Sequence, residues 1–124
     1  MKIDIKNEQF HWTRHTKKKM SYYNLSENRV KSVLRKPDRK ETGVAPLTIA
    51  LMQRTGTKKH PTEIWVMYQK VVSRKKKITK IISAWRYPGI SPIREYRQII
   101  KDFYISYQED GFKKEKKTKK SSSI

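Results

Sequence analysis

A chain of 124 residues has room for one domain with one modest core, which excludes separate catalytic and regulatory domains. Its 31 Lys and Arg against 11 Asp and Glu give a net charge of +20 on a chain with 35% hydrophobic residues, and self-repulsion on that scale makes a polyanionic partner the first expectation. The lack of cysteine excludes a disulfide framework and a thiolate metal site, and the scarcity of carboxylates beside His11, His15 and His60 leaves no zinc site to expect.

From Lys2 to Lys6 polar and apolar residues alternate, the period of a short half-buried strand. A helix is expected from about Phe10 to Tyr23, where Trp12, Thr16, Met20 and Tyr23 fall on one stripe that would pack on the core. Ser26 can cap a second helix, with Leu25 before it and Val30 beyond it as a hydrophobic staple. That helix should bury Val30, Val33 and Leu34 and stop near Arg35, because Pro37 biases its predecessor away from helical geometry. The period then changes to alternation, with β-rich runs at Leu47–Arg54, Glu63–Val72 and Ile78–Arg86 joined by connections short enough for an antiparallel meander. Parity puts Leu47, Ile49 and Leu51 on one face and Thr48, Ala50, Met52 and Arg54 on the other; in the last strand Ile81 and Trp85 oppose Lys80 and Arg86. One face should be covered by helices and the other left open with cationic side chains. Ser91 and Pro92 start a final helix whose apolar face is Ile93, Tyr96, Ile100, Phe103, Tyr104 and Tyr107, ending at Asp110–Gly111. Residues 1–112 thus form one domain, and residues 113–124, rich in Lys and Ser, have nothing to bury and are expected to be a disordered tail.

The tail carries six Lys and one Glu, so +15 of the +20 belongs to the folded part. With four glycines and no Walker, dinucleotide or His-Glu-x-x-His motif, no cofactor and no metal are expected. No apolar run approaches a membrane span and the first ten residues lack the apolar stretch of a signal peptide, so a soluble cytoplasmic protein with no membrane partner is expected. Five basic clusters remain, at Arg14–Lys19, Arg35–Lys40, Lys58–His60, Arg74–Lys77 and Arg86–Tyr87. Any one of them reads as a solvated face; together, with too few acids to neutralise them, they read as a phosphate-binding surface beside aromatics able to stack on unpaired bases.

The order of motifs adds to this. His15–x3–Lys19–Met20, Asn24–Leu25–Ser26 and Val30–x2–Val33–Leu34–x2–Pro37 resemble the helical hairpin of small bacterial domains related to the RelE/ParE toxins, which read His-Ala-x-x-Arg-Met, Gly-Ile-Ser and Val-x-x-Val-Leu-x-x-Pro. Ile81–Ile82–Ser83–Ala84–Trp85–Arg86 is similar to the Ile-Ile-Ser-Ala-Arg strand ending of BrnT-like toxins. Asn24 stands where that family has Gly, and Asn is the usual substitute in left-handed backbone. The resemblance covers about His15 to Tyr104 and implies an α+β, RelE-like fold: an N-terminal strand and helical hairpin packed on a three-to-four-stranded antiparallel sheet, with a C-terminal helix. It further implies RNA as partner, free or ribosome-bound, an acidic antitoxin protein as a second partner, and RNA cleavage; with few acids and none paired at ligand spacing beside a His, that cleavage is expected to need no metal.

Such cleavage asks for a base, cations for the charge building on phosphate, and an acid for the leaving oxygen. By motif position His15 and Lys19 carry over. Trp85 sits where the family has its strand-end Arg, so either a bulge brings Arg86 to the open face or the arginine's role is lost. The candidate catalytic residues are therefore His15, Arg54, Arg86 and Tyr87, and the candidate RNA-binding residues are Arg14, Lys18, Lys19, Tyr68, Arg74, Lys75, Lys76 and Lys80. Each has a plainer reading: His15 closes the hairpin against the sheet, the cations are solvated, and the tyrosines pack in the core or at its rim, as Trp12 and Trp65 are expected to. Two functions follow from the set, an RNA-cleaving toxin-like domain and a non-catalytic nucleic-acid-binding or ribosome-associated protein.

Overall fold

The computed structural model describes residues 9–122, with residues 73 and 112–122 described by their backbone alone; the strand expected at Lys2–Lys6 lies outside the described residues. In chain order the elements are β1 (Gln9–Trp12), α1 (Arg14–Tyr23), α2 (Glu27–Arg35), β2 (Arg39–Thr42), β3 (Thr48–Gly56), β4 (Pro61–Ser73), β5 (Lys76–Pro88), a 3-10 turn (Ile93–Glu95) and α3 (Tyr96–Ser122). The five strands form one mixed sheet in the order β1-β5-β4-β3-β2. It is antiparallel except for β1, which runs parallel to β5 from Gln9↔Ile78 to Trp12↔Ile81. The class is α+β, as expected, but the sheet has five strands and mixed direction where three or four antiparallel strands were expected. β2 holds only polar residues and sits at the edge beside β3, so it lacks the apolar alternation that marks a half-buried strand.

The helical hairpin forms as its local signals dictate. Ser26 Oγ accepts the Arg29 amide at 3.0 Å, Leu25 and Val30 are both buried, and α2 ends at Arg35. Asn24 has φ 56° and terminates α1 in the left-handed geometry that a short polar side chain tolerates. The start of α1 is the correction: it begins at Arg14, not near Phe10, because Phe10 to Trp12 are held in β1. Thr13 caps α1 by accepting from the Thr16 amide. The Thr13 and Thr16 hydroxyls both donate to the Ile81 carbonyl, at 2.9 and 2.6 Å. This fastens α1 along β5 where β1 stops pairing.

Both faces of the sheet are covered. On one, Met20, Leu25, Val30, Val33 and Leu34 of the hairpin pack on Leu51, Ile64, Val66, Tyr68, Ile81 and Ala84, with Trp12 half-buried beside them. On the other, Tyr96 and Ile100 of α3, flanked by Phe103, Tyr104 and Tyr107, pack on Ala50, Met52, Trp65, Met67, Ile82 and Trp85. The expected open cationic face is therefore closed by α3, whose aromatic stripe supplies the missing layer. Trp65 stacks on Trp85 at 5.8 Å, and Trp85 on Phe103 at 4.1 Å, with ring planes 4° apart in each pair; each such pair adds about 0.5–1.5 kcal/mol beyond its buried area.

A β-bulge resets the parity of β5. Met67 pairs with Ser83 and Tyr68 with Ile81, so Ile82 is the extra residue, and it shares the α3 side with Ser83. Ile81 and Trp85, expected on one face, consequently point to opposite layers. α3 runs through Gly111 to Ser122, past the helix end expected at Asp110–Gly111 and into the segment read as a disordered tail. Lys and Glu are good helix formers, and a single interior Gly costs only about 1 kcal/mol.

Candidate functional site

His15 lies in the first turn of α1, which runs along the edge of β5 and so can reach α3. Its side chain is 2% exposed. Nδ1 meets the Asp110 carboxylate of α3, Nε2 lies 3.4 Å from Ser83 Oγ on β5, and Tyr107 presents an edge at 5.9 Å between ring centroids. Lys18 Nζ is 3.6 Å from the other Asp110 oxygen, and Lys80 Nζ sits over the Tyr107 ring at 5.7 Å. Lys19 reaches over Phe103 at 5.6 Å. The tertiary structure thus gathers His15, Lys18, Lys19, Lys80, Ser83, Tyr107 and Asp110 at the seam between α1, β5 and α3.

Burial lowers the His15 pKa from 6.5, against the opposing pull of the Asp110 hydrogen bond and charge, and Lys19 and Lys18 push it further down. Asp110 is itself held below 3.8, chiefly by its hydrogen bond to His15, with burial opposing. A neutral imidazole reconciles the two directions. It donates Nδ1–H to an ionised Asp110 and leaves the Nε2 lone pair toward the Ser83 hydroxyl, an assignment that follows from the hydrogen-bond network. Hydroxyl, imidazole and carboxylate then stand in the order of a nucleophile, its base and the group that orients the base. Ser83 is fully buried, so the base would act on an outside substrate only where α3 withdraws.

The other candidates fall elsewhere. Arg54, Glu63 and Tyr87 are register partners across β3, β4 and β5, roughly 20 Å along β5 from Lys80 at ~3.3 Å per residue. Glu63, buried there, accepts the Trp65 indole N–H at 3.0 Å, the Ser91 amide at 3.2 Å and the Ser91 hydroxyl, which secures the chain before α3. Arg86 is on the hairpin side, its Nε donating to the Tyr23 carbonyl at 3.5 Å. The bulge lies upstream of it and separates it from Lys80 rather than uniting them. Tyr68 is 4% exposed inside the hairpin layer, so its ring is not open to a base. Arg14 and Lys18 are exposed on α1, and Arg74, Lys75 and Lys76 are exposed at the β4–β5 turn.

Asp110, Ser83 and Tyr107 were not assigned to a site from the sequence, which placed them only at a helix end, in a strand motif and on an apolar helix face. Asp110 is 95 residues from His15, and no local spacing connects them. Among the described residues no group of three or more His, Cys, Asp or Glu could hold a metal ion, and no helix is long and apolar enough to cross a membrane. Comparison with family models, curated proteins and solved structures finds no match.

Proposed function

We propose that this chain is a cytoplasmic RNA-binding protein of the RelE/BrnT-like kind, held to RNA through phosphate contacts. One observation carries the reading: no acidic residue occurs between Glu63 and Glu95, a stretch that includes Lys70, Arg74 to Lys77, Lys80 and Arg86. Its cations at Arg74 to Lys77 stand exposed at one end of the sheet, and Lys80 leads from them toward Lys18 on α1. Such a surface neutralises phosphates and releases counterions whatever the base sequence. An acidic antitoxin-like protein would dock on the same charge, and ribosome-bound RNA is a natural target. Purified protein mixed with total RNA should retain it at low salt and release it as salt rises; no retention at 50 mM salt refutes the reading.

The His15–Asp110 pair, with Lys18 and Lys80 beside it, favours a second reading, an endoribonuclease. Where α3 withdraws, His15 Nε2 would take the 2′-hydroxyl proton as the 2′-oxygen attacks the phosphorus, and the 5′-oxygen would leave with a proton from one of the two lysines while the other faces the charge on the phosphate. Arg54, Tyr87 and Arg86 are too distant or wrongly faced to join it. Incubating RNA with wild type and with His15→Ala, with and without ribosomes, separates the readings: cleavage lost in the variant supports catalysis at His15, and intact RNA in both leaves binding alone.

A further inference from the structure

Among the described residues, β4 and β5 continue beyond the rest of the sheet. β3 pairs with β4 only as far as Thr48↔Gln69, and β1 meets β5 only from Ile78 onward. Among the described residues the rungs Val72↔Lys77 and Ser73↔Lys76 are flanked by no third strand. This short two-stranded ribbon ends in a two-residue turn whose central residues, Arg74 and Lys75, have φ 49° and 65°. A type I′ hairpin requires positive φ at both positions and is ordinarily supplied by Asn-Gly. Here two long cationic side chains occupy them, and the strain of left-handed backbone in such residues is a pointer to function. Arg74 to Lys77 are all exposed, and Val72 beside them is 73% exposed.

Resting on the RNA-binding reading above, we propose that this ribbon tip recognises duplex RNA by straddling the narrow major groove of the A-form helix, its cations meeting the phosphate rows on both sides. Two arguments select a duplex over a single strand. Binding of unpaired RNA relies on aromatic platforms, whereas both sheet faces are covered by helices and Tyr22 is the one aromatic residue among the large exposed hydrophobics of the described residues. A duplex also carries about twice the phosphate charge per unit length of one strand. A-form RNA is read through shape and phosphates because its deep major groove admits few side chains. A ribbon two strands wide, with strands ~4.8 Å apart, presents a compact cluster of charge to such a groove without having to enter it.

The double substitution Arg74→Asn, Lys75→Gly tests this, because it installs the preferred turn and removes two cations together. The variant should melt at the wild-type temperature or above it, so that lost binding cannot be attributed to misfolding. Two phosphate contacts at about 0.9 each in the logarithmic salt slope correspond to an affinity loss of about 60-fold at 0.1 M salt relative to 1 M. That loss is expected on a 20-base-pair RNA duplex, while affinity for one of its strands alone falls by no more than about a factor of five, the equivalent of a single contact at about 0.7 in the slope. Equal losses on duplex and single strand, an unchanged duplex affinity, or the same loss on a DNA duplex of the same sequence would overturn the assignment. Wild-type protein that binds none of the three overturns the RNA-binding reading itself.

Discussion

Asp110→Ala should loosen the seam between α1 and α3 by about 2 kcal/mol while leaving the basic surface in place. Asp110 holds two partners of unequal weight. Lys18 is 64% exposed at 3.6 Å, so solvent screening reduces that pair to roughly 0–0.5 kcal/mol. The His15 ring is buried, and removing its acceptor strands a buried Nδ1–H, which costs about 1–3 kcal/mol. At an unfolding entropy of ~2.1 cal/mol/K per residue, a domain of this size loses roughly 4 °C per kcal/mol, so the midpoint should fall by about 8 °C. Thermal and urea unfolding at pH 7.5 measure it. Asp110→Asn should recover part of the loss, because the amide oxygen still accepts. A midpoint within about 2 °C of wild type would show that the pair contributes little and that the cost worked from His15 burial is misplaced.

Acid should destabilise the same seam in two stages. Both groups have folded pKa values below their unfolded ones, so each contributes stability that is present above its unfolded value and lost as pH falls through its folded value. For His15 the decline begins below 6.5 and for Asp110 below 3.8; His15→Gln should remove the first stage, and a wild type that gains stability from pH 7 to pH 5 would contradict the neutral imidazole. RNA affinity should be strongly salt-dependent: six phosphate contacts imply a loss on the order of 10³-fold on a duplex between 50 and 200 mM salt, which titration at several ionic strengths reads directly. Trp85→Ala should cost about 3–5 kcal/mol by opening the stack of Trp65, Trp85 and Phe103, seen as a large drop in the urea midpoint. If RNA is cleaved, chelator should leave the rate unchanged and Lys80→Ala should lower the single-turnover rate by more than it weakens binding; an abolished rate with chelator would instead place a metal in the reaction.

Local chemistry made much of this architecture legible from sequence. Ser26 as a cap, Leu25 and Val30 as its staple, Asn24 in left-handed backbone and Pro37 as a stop act over a few residues, so the helical hairpin follows from neighbours alone. The three long strands and the aromatic stripe of α3 were legible by period for the same reason. The second covered face was not read from sequence, which led to an open cationic one, although Ile64 to Tyr68 is a continuous apolar run of the kind carried by a strand buried on both sides. The four residues of β1 and the polar β2 carry too little pattern to be read, because each exists through pairing with a strand distant in sequence.

Composition and order alone determined the net charge, its acid-free concentration between Glu63 and Glu95, and the identity of the main elements. Which side chains meet was settled only in three dimensions. Parity along β5 held until the bulge at Ile82, where one extra residue sent Arg86 and Lys80 to opposite layers. His15 acquired Asp110 because α1 lies along the β5 edge and α3 crosses the face beside it. The ribbon tip became exposed because β3 and the described part of β1 end short of it. Periodicity records how a residue is placed relative to its neighbours in the chain, whereas register, bulges and layer packing fix where that neighbourhood lies in the fold, and those depend on contacts made across the whole domain.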